Sequence, residues 1–257
     1  MLDRNTVEAF FKEYTDRYDP SDERISLKIE HTFKVAGICN QIAESLGLEN
    51  EDADMAYLLG MLHDVGRFEQ VKRYDTFVDA KSIDHAALGA DILFEEGLIE
   101  SFIPDFDHWE KSRKEILEEA IRYHSGYRVP EGLEEKKQLF ADLIRDADKL
   151  DILRVNVESS PELIFGSSPE EMKKEEITPE VLQCFEEGHA VLRNLRRTGV
   201  DNLVGYISLT FELVFPKSRK IAAQQGYIWK LLSFESENES TKESFIRIRS
   251  RIKKLLA

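Results

Sequence analysis

The sequence predicts an all-α protein. Apolar residues recur at helical spacings of three and four over most of its 257 residues. Ser168-Pro169 and Thr178-Pro179 are typical helix starts, each a cap residue followed by proline at the first helical position. Residues 203–215 fit either a strand or a helix, and their helical surroundings favour the helix. We therefore expect a helical bundle.

Composition and charge narrow the class of protein. The hydrophobic fraction of 42% and the charged fraction of 33% are those of a globular chain. A net charge of -15 disfavours a broad interface with nucleic-acid phosphates, although a local basic pocket could still hold a small phosphorylated ligand. The two cysteines form no redox or metal motif, and neither a signal peptide nor a membrane-spanning stretch is recognisable. The expected location is the cytoplasm.

Helices are predicted over residues 3–18, 27–46 and 52–63, followed by a loop over residues 67–80. Further helices are predicted over residues 82–97, 112–125 and 133–155. His31 lies in the apolar stripe of the second helix, and His63 and His124 each close a stripe near a helix end. His85 lies near the start of its helix. A single histidine of this kind is more often a hydrogen-bonded core residue than a ligand.

The six histidines are not distributed as independent core residues would be. Four of them, His31, His63, His85 and His124, lie on or beside the buried sides of separate predicted helices, and Asp64 directly follows His63. Asp148 lies four residues from both Ile144 and Ile152, so it also faces the core, whereas Asp146 and Asp151 are expected to be partly solvated. Four imidazoles and two carboxylates could hold two ions bridged by one carboxylate. Ligands of this kind suit Mn, Fe, Co, Ni or Zn.

The order of these residues resembles the HD-domain superfamily of metal-dependent phosphohydrolases. The carried motif is His31, His63-Asp64 and Asp148, within segments 60–67 and 146–151 that look like those of the family. His85 and His124 resemble the two extra histidines of its binuclear branch, which includes cyclic-nucleotide and cyclic-dinucleotide phosphodiesterases. The resemblance covers about residues 25–155. It implies an HD core over residues 1–160, with residues 161–257 as a helical extension packed on that core.

The resemblance also implies a division of the ligands. The first ion would take His31, His63, Asp64 and Asp148, and the second would take Asp64, His85 and His124. Two ions bridged by Asp64 would lower the pKa of a bridging water and supply hydroxide to attack phosphorus. Arg67 would bind a phosphoryl oxygen, or would instead form a salt bridge to one of the many acids; the two interpretations are equally favoured. Arg128 is a further candidate for substrate binding and Lys149 a further catalytic candidate.

Three functions follow from this resemblance. The favoured one is a phosphomonoesterase or phosphodiesterase acting on a small phosphorylated substrate, with a nucleotide as one candidate. The alternative is an O2-dependent di-iron oxygenase of the same superfamily, because the same six ligands occur in both. The third, a non-enzymatic ligand sensor, is disfavoured by the complete ligand set. Cyclic di-GMP hydrolysis is not expected, because Arg67 replaces a lysine and His124 stands where that branch has paired histidines.

Overall fold

The computed structural model describes residues 2–257, and every regular element in that range is helical, as predicted. The chain forms two compact units, of which the first ends at Asp148 and the second begins at Lys149. The α-helices are α1 Arg4–Thr15, α2 Glu23–Ser45, α3 Asn50–Leu62, α4 Val65–Tyr74, α5 His85–Ala90, α6 Ile99–Phe102, α7 Lys111–Tyr123, α8 Glu135–Glu158, α9 Pro161–Phe165, α10 Pro169–Met172, α11 Pro179–Glu187, α12 Gly199–Ser208, α13 Pro216–Gln225, α14 Tyr227–Leu232 and α15 Glu239–Leu256.

Helices α2 and α3 pack along each other and form the centre of the first unit. Their backbones approach closely where Gly60 meets Ala36, because a Cβ on Gly60 would overlap the backbone of Ala36. The predicted apolar stripe of α3 is fully buried and consists of Met55, Leu59 and Leu62. This packing fixes the end of α3, where His63 follows.

Helix α4 corrects the prediction of a loop beginning at residue 67. Val65, Phe68 and Val71 are all buried, at the three-residue spacing of a helix face. The pattern was hard to see in the sequence because two polar residues, Arg67 and Gln70, are buried on the same helix. Their burial is itself a sign that this helix carries a site.

A second close approach joins α4 to α5. A Cβ on Gly66 would overlap the carbonyl oxygen of His85 and would lie 2.6 Å from the backbone nitrogen of Gly89. Helix α5 begins at His85 rather than at residue 82 as predicted, and it is capped by Asp84, whose side chain accepts hydrogen bonds from two backbone N–H groups. The glycine contact therefore sets the distance between the start of α4 and the start of α5.

In the second unit, the apolar faces of α11, α12 and α15 form the interior. The buried residues of these three helices include Val181, Phe185, Val204, Ile207, Phe245, Ile248 and Ile252. Helix α11 begins at Pro179, as predicted, and ends at Glu187, because Gly188 takes a φ of 87°. The helix predicted over residues 203–215 is confirmed only as far as Ser208, where a 3-10 turn over Leu209–Glu212 follows.

Across residues 2–257, none of the helices has both the length and the apolar character needed to cross a membrane.

Candidate metal centre

All six predicted metal ligands lie in the first unit, most of them where a helix begins or ends. His31 lies within α2, His63 directly follows α3, and Asp64 directly precedes α4. The other three are His85 at the start of α5, His124 directly after α7, and Asp148 in α8. The histidines and Asp64 are almost completely buried. Short distances between their side chains group these residues into two clusters.

The first cluster joins His31, His63 and Asp148. The Nε2 atoms of the two histidines lie 3.3 Å apart. Oδ1 of Asp148 lies 3.1 Å from Nε2 of His31 and 3.9 Å from Nε2 of His63. Oδ2 of Asp64 is 3.5 Å from each histidine nitrogen. The predicted convergence of these four side chains is therefore observed.

The second cluster joins His85 and His124, whose Nε2 atoms are 3.2 Å apart. Oδ1 of Asp64 lies 3.3 Å from Nε2 of His85 and 3.6 Å from Nε2 of His124. The two carboxylate oxygens of Asp64 thus face different histidine pairs. This is the arrangement required of a carboxylate that bridges two ions.

The spacing of the donor atoms fits transition metals. Two ligands bound at about 2.1 Å to one ion, at angles of about 90–110°, lie about 3.0–3.4 Å apart. The two Nε2–Nε2 distances and the contact of Asp148 with His31 fall within this interval. Groups of His31, His63 and Asp64, and of Asp64, His85 and His124, could each hold one ion.

The hydrogen bonds of the second cluster give the strongest reason for an ion there. Nδ1 of His124 lies 2.7 Å from the carbonyl oxygen of Ile121, and Nδ1 of His85 lies 2.8 Å from Oδ2 of Asp79. Because these oxygens can only accept, each Nδ1 carries a proton, and Nε2 is the nitrogen of each ring that can present a lone pair. Two lone pairs facing each other at 3.2 Å repel unless a cation lies between them.

The protonation states of the histidines also favour a metal over a shared proton. Burial and the nearby Arg67 guanidinium lower the pKa of His85 to about 4, although the contacts with Asp79 and Asp64 oppose this shift. Burial likewise lowers the pKa of His63, whose Nδ1 donates to the carbonyl oxygen of Gly60 at 2.9 Å. Near neutral pH both rings are therefore neutral, with Nε2 available to a metal.

Both carboxylates of the centre are ionised. Burial by itself would raise the pKa of Asp64, but the Lys28 ammonium, His63 and His124 hold it well below its usual range. Burial also opposes ionisation of Asp148, and the contacts with His31 and His63 outweigh it, so its pKa is low. Two buried negative charges of this kind require compensating cations.

Lys28 belongs to the centre, although the sequence analysis did not single it out. It lies one helical turn before His31 on α2, and its Nζ is 2.6 Å from Oδ2 of Asp64. Its side chain is 16% exposed, compared with 2% for Asp64. The available signal was its spacing of three residues from His31, which places both side chains on one face of the helix.

Arg67 forms the salt bridge that was one of its two interpretations. Its Nη1 donates to Oδ1 of Asp79 at 2.7 Å, to Oε1 of Gln70 at 2.7 Å and to the carbonyl oxygen of Phe77 at 2.8 Å. Its buried Nε has no hydrogen-bond partner within residues 2–257 and lies 3.7 Å from Oδ1 of Asp64. Arg67 is therefore anchored at one end and directed at the second cluster at the other.

Asp79 and Arg145 position other residues of the site, and the sequence analysis missed both roles. Asp79 accepts from Arg67 with one oxygen and from His85 with the other. Arg145, buried on α8, donates to the carbonyl oxygens of Tyr123 at 3.2 Å and His124 at 3.1 Å. Its other partners are the carbonyl oxygens of Gly126 and Tyr127. Arg145 thereby holds the chain that follows α7 and carries His124.

The remaining predicted residues lie further along the chain. Arg128 is exposed on the segment after α7, with its guanidinium 4.9 Å from the ring centroid of Tyr127. Lys149 is half-buried in α8, directly after Asp148. The prediction that Asp146 and Asp151 are partly solvated is wrong. Both are buried, and Asp151 pairs with Arg154 on the next turn at 2.7 Å.

The first unit is a helical domain with two adjacent clusters of histidine and carboxylate side chains whose geometry could hold metal ions. Residues 29–153 match the family model described as the HD domain, so this part of the chain is an HD domain. The match includes all six candidate ligands and bears out the predicted resemblance. Neither the curated proteins nor the solved structures gave a significant match.

Proposed function

We propose that this chain hydrolyses a phosphate ester with the aid of two divalent transition-metal ions. The observation that carries the proposal is the pair of opposed Nε2 lone pairs of His85 and His124, which share Asp64 with the first cluster. An HD domain holding a single ion would need only His31, His63, Asp64 and Asp148. The complete second cluster supports a binuclear centre.

The residues would divide the work as follows. His31, His63, Asp64 and Asp148 would hold one ion, and Asp64, His85 and His124 the other. When bound, such ions supply Lewis acidity and lower the pKa of a metal-bound water molecule to about 7. Arg67, fixed by Asp79, would donate a charge-assisted hydrogen bond from its unpartnered Nε to the phosphoryl group. Lys149 and Arg128 remain weaker candidates for catalysis and substrate binding.

The substrate we propose is a small phosphorylated molecule, either a monoester or a diester, with a nucleotide as one candidate. The buried centre and the net charge of -15 are unfavourable for a nucleic-acid polymer. We also propose that the protein works in the cytoplasm, which agrees with two cysteines that form no disulfide within residues 2–257.

The first test is hydrolysis under strict anaerobiosis. Protein purified without added metal would be analysed for metal content and then loaded with Mn²⁺ or another divalent ion. It would be assayed on a panel of phosphomonoesters and phosphodiesters. We expect phosphate release at the same rate with and without O2, because Lewis acidity requires no change of oxidation state. The Asp64→Ala variant serves as the inactive control.

The oxygenase alternative gives the opposite result. Turnover of the best substrate would stop without O2 and return with air, and activity would depend on iron in a reduced or mixed-valence state. That outcome would replace the hydrolase proposal.

A further inference from the structure

The ammonium of Lys28 has fewer protein partners than the guanidinium of Arg67, the other cation beside Asp64. Asp64 is the one carboxylate with which it forms an ion pair within residues 2–257, and its Nζ lies 5.8 Å from the ring centroid of Phe77. Arg67, by contrast, is held by Asp79, Gln70 and a backbone carbonyl. The side chain of Lys28 is also the partly exposed member of its pair with Asp64.

The position of Lys28 is unfavourable for metal binding alone. Its Nζ is 2.6 Å from the Asp64 oxygen that faces the first cluster, and an ion held there would be close to the ammonium. Like charges at such distances repel strongly in a buried setting. The Asp64 carboxylate offsets part of this repulsion, and a second anion beside the ion would offset more of it, because the ammonium can donate its other hydrogen bonds to that anion.

We infer that Lys28 is a substrate-binding residue that donates a hydrogen bond to a phosphoryl oxygen at the first cluster. The inference rests on the proposed function and adds a residue to it. Lys28 would form the first-cluster side of the phosphoryl site, and Arg67 the side of the second cluster. The three N–H donors of an ammonium on a flexible stem can turn from Asp64 to the ligand without moving α2.

The test measures binding of inorganic phosphate to the metal-loaded full chain by isothermal titration calorimetry. Lys28→Met removes the charge while keeping the length of the side chain, and Lys28→Arg keeps the charge. Lys34→Met is the matched control, because Lys34 is an exposed lysine on the same helix. Metal content is measured for every variant, and its affinity for Mn²⁺ is titrated separately.

We expect Lys28→Met to weaken phosphate binding about tenfold to a hundredfold, the usual effect of losing a hydrogen bond to a charged group. Its affinity for Mn²⁺ should stay the same or rise, because a repelling cation has been removed. Lys28→Arg should retain most of the phosphate affinity, and Lys34→Met should match the wild type. A loss of phosphate affinity without a loss of Mn²⁺ affinity distinguishes substrate binding from a role in which Lys28 only neutralises the charge of Asp64.

The inference is wrong if phosphate binds equally to wild type and Lys28→Met, or if the wild type does not bind phosphate at all. It is also wrong if Lys28→Met loses metal, since Lys28 would then act through Asp64. If Lys28→Met does not fold, the comparison of Lys28→Gln with Lys28→Arg decides in the same way. Phosphate binding needs no turnover, so the inference can hold even where hydrolysis of every ester tested fails.

Discussion

Asp64 is the residue on which both clusters depend. Its Oδ2 faces His31 and His63, whereas its Oδ1 faces His85 and His124. A terminal histidine, by contrast, belongs to one cluster. Substitutions at these two kinds of position should therefore differ in the number of ions lost.

We expect Asp64→Ala to lower metal content at both positions, and His85→Ala to reduce it by about one ion per chain. The reason is that a bridging carboxylate serves both ions and an imidazole serves one. Metal per chain would be measured by plasma mass spectrometry after removal of loosely bound ions. His108→Ala is the control, because His108 is an exposed histidine outside the clusters. Full metal content in Asp64→Ala would refute the bridging role.

Among individual residues, those with a local sequence signal were predicted, and those whose role arises only from the folded structure were missed. His63-Asp64 at the end of an apolar stripe was visible directly. Lys28 was detectable as well, because it precedes His31 by one turn. Asp79 was not, since its contacts with Arg67 and His85 arise only when the segment after α4 folds back.

Glycines decide how closely the helices that carry the ligands approach each other. Gly66 lies against the start of α5, and there is no room for a methyl group beside the His85 carbonyl oxygen and the Gly89 nitrogen. The sequence could not show that α4 and α5 are neighbours, because the residues of α4 from 67 onwards were predicted to form a loop.

Gly66→Ala should destabilise the protein by about 3 kcal/mol, at the upper end for overpacking, because backbone rather than a flexible side chain must move. It should also lower the metal content of the second cluster, since His85 would shift. Gly37→Ala is the matched control, as an exposed glycine of α2 with open space around it. It should stabilise the chain by about 0.5–1 kcal/mol.

Urea unfolding gives both free energies of unfolding, and metal analysis gives the occupancy of the two variants. A Gly66→Ala variant with wild-type stability and two ions per chain would contradict the close approach of α4 and α5. The same experiment on Gly37→Ala shows that the effect is not a general response to replacing a helical glycine.

The all-α class and the HD domain follow from the sequence, but the boundary between the two compact units does not. An HD core over residues 1–160 with residues 161–257 as its extension stays a prediction. The boundary between the two compact units falls between Asp148 and Lys149, inside α8. A boundary within a continuous helix leaves no break in the apolar pattern, so periodicity alone gives no sign of it.

Divalent ions should raise the unfolding temperature of the metal-stripped chain. The six ligands are spread over the sequence from His31 to Asp148, so they come together only in the folded state. Binding to the native state at a concentration of 100 Kd adds about 2.7 kcal/mol of stability. For a chain of this size that corresponds to a rise of roughly 5–10 °C in Tm.

Differential scanning calorimetry of the EDTA-treated protein, titrated with Mn²⁺, measures this rise. Asp64→Ala should show a much smaller one. An equal rise in the variant would mean that the ions bind elsewhere on a strongly acidic surface.

Asp79 makes Arg67 and His85 thermodynamically dependent on each other. One oxygen of its carboxylate is held by the guanidinium and the other by the imidazole. A change at either partner alters the charge and orientation that the other one meets. Free-energy effects of substitutions at Arg67 and His85 will therefore not be additive. The change in apparent substrate affinity of an Arg67 variant will therefore include the effect of altered binding of the second ion. The change in metal affinity of a His85 variant will include the effect of a displaced Arg67.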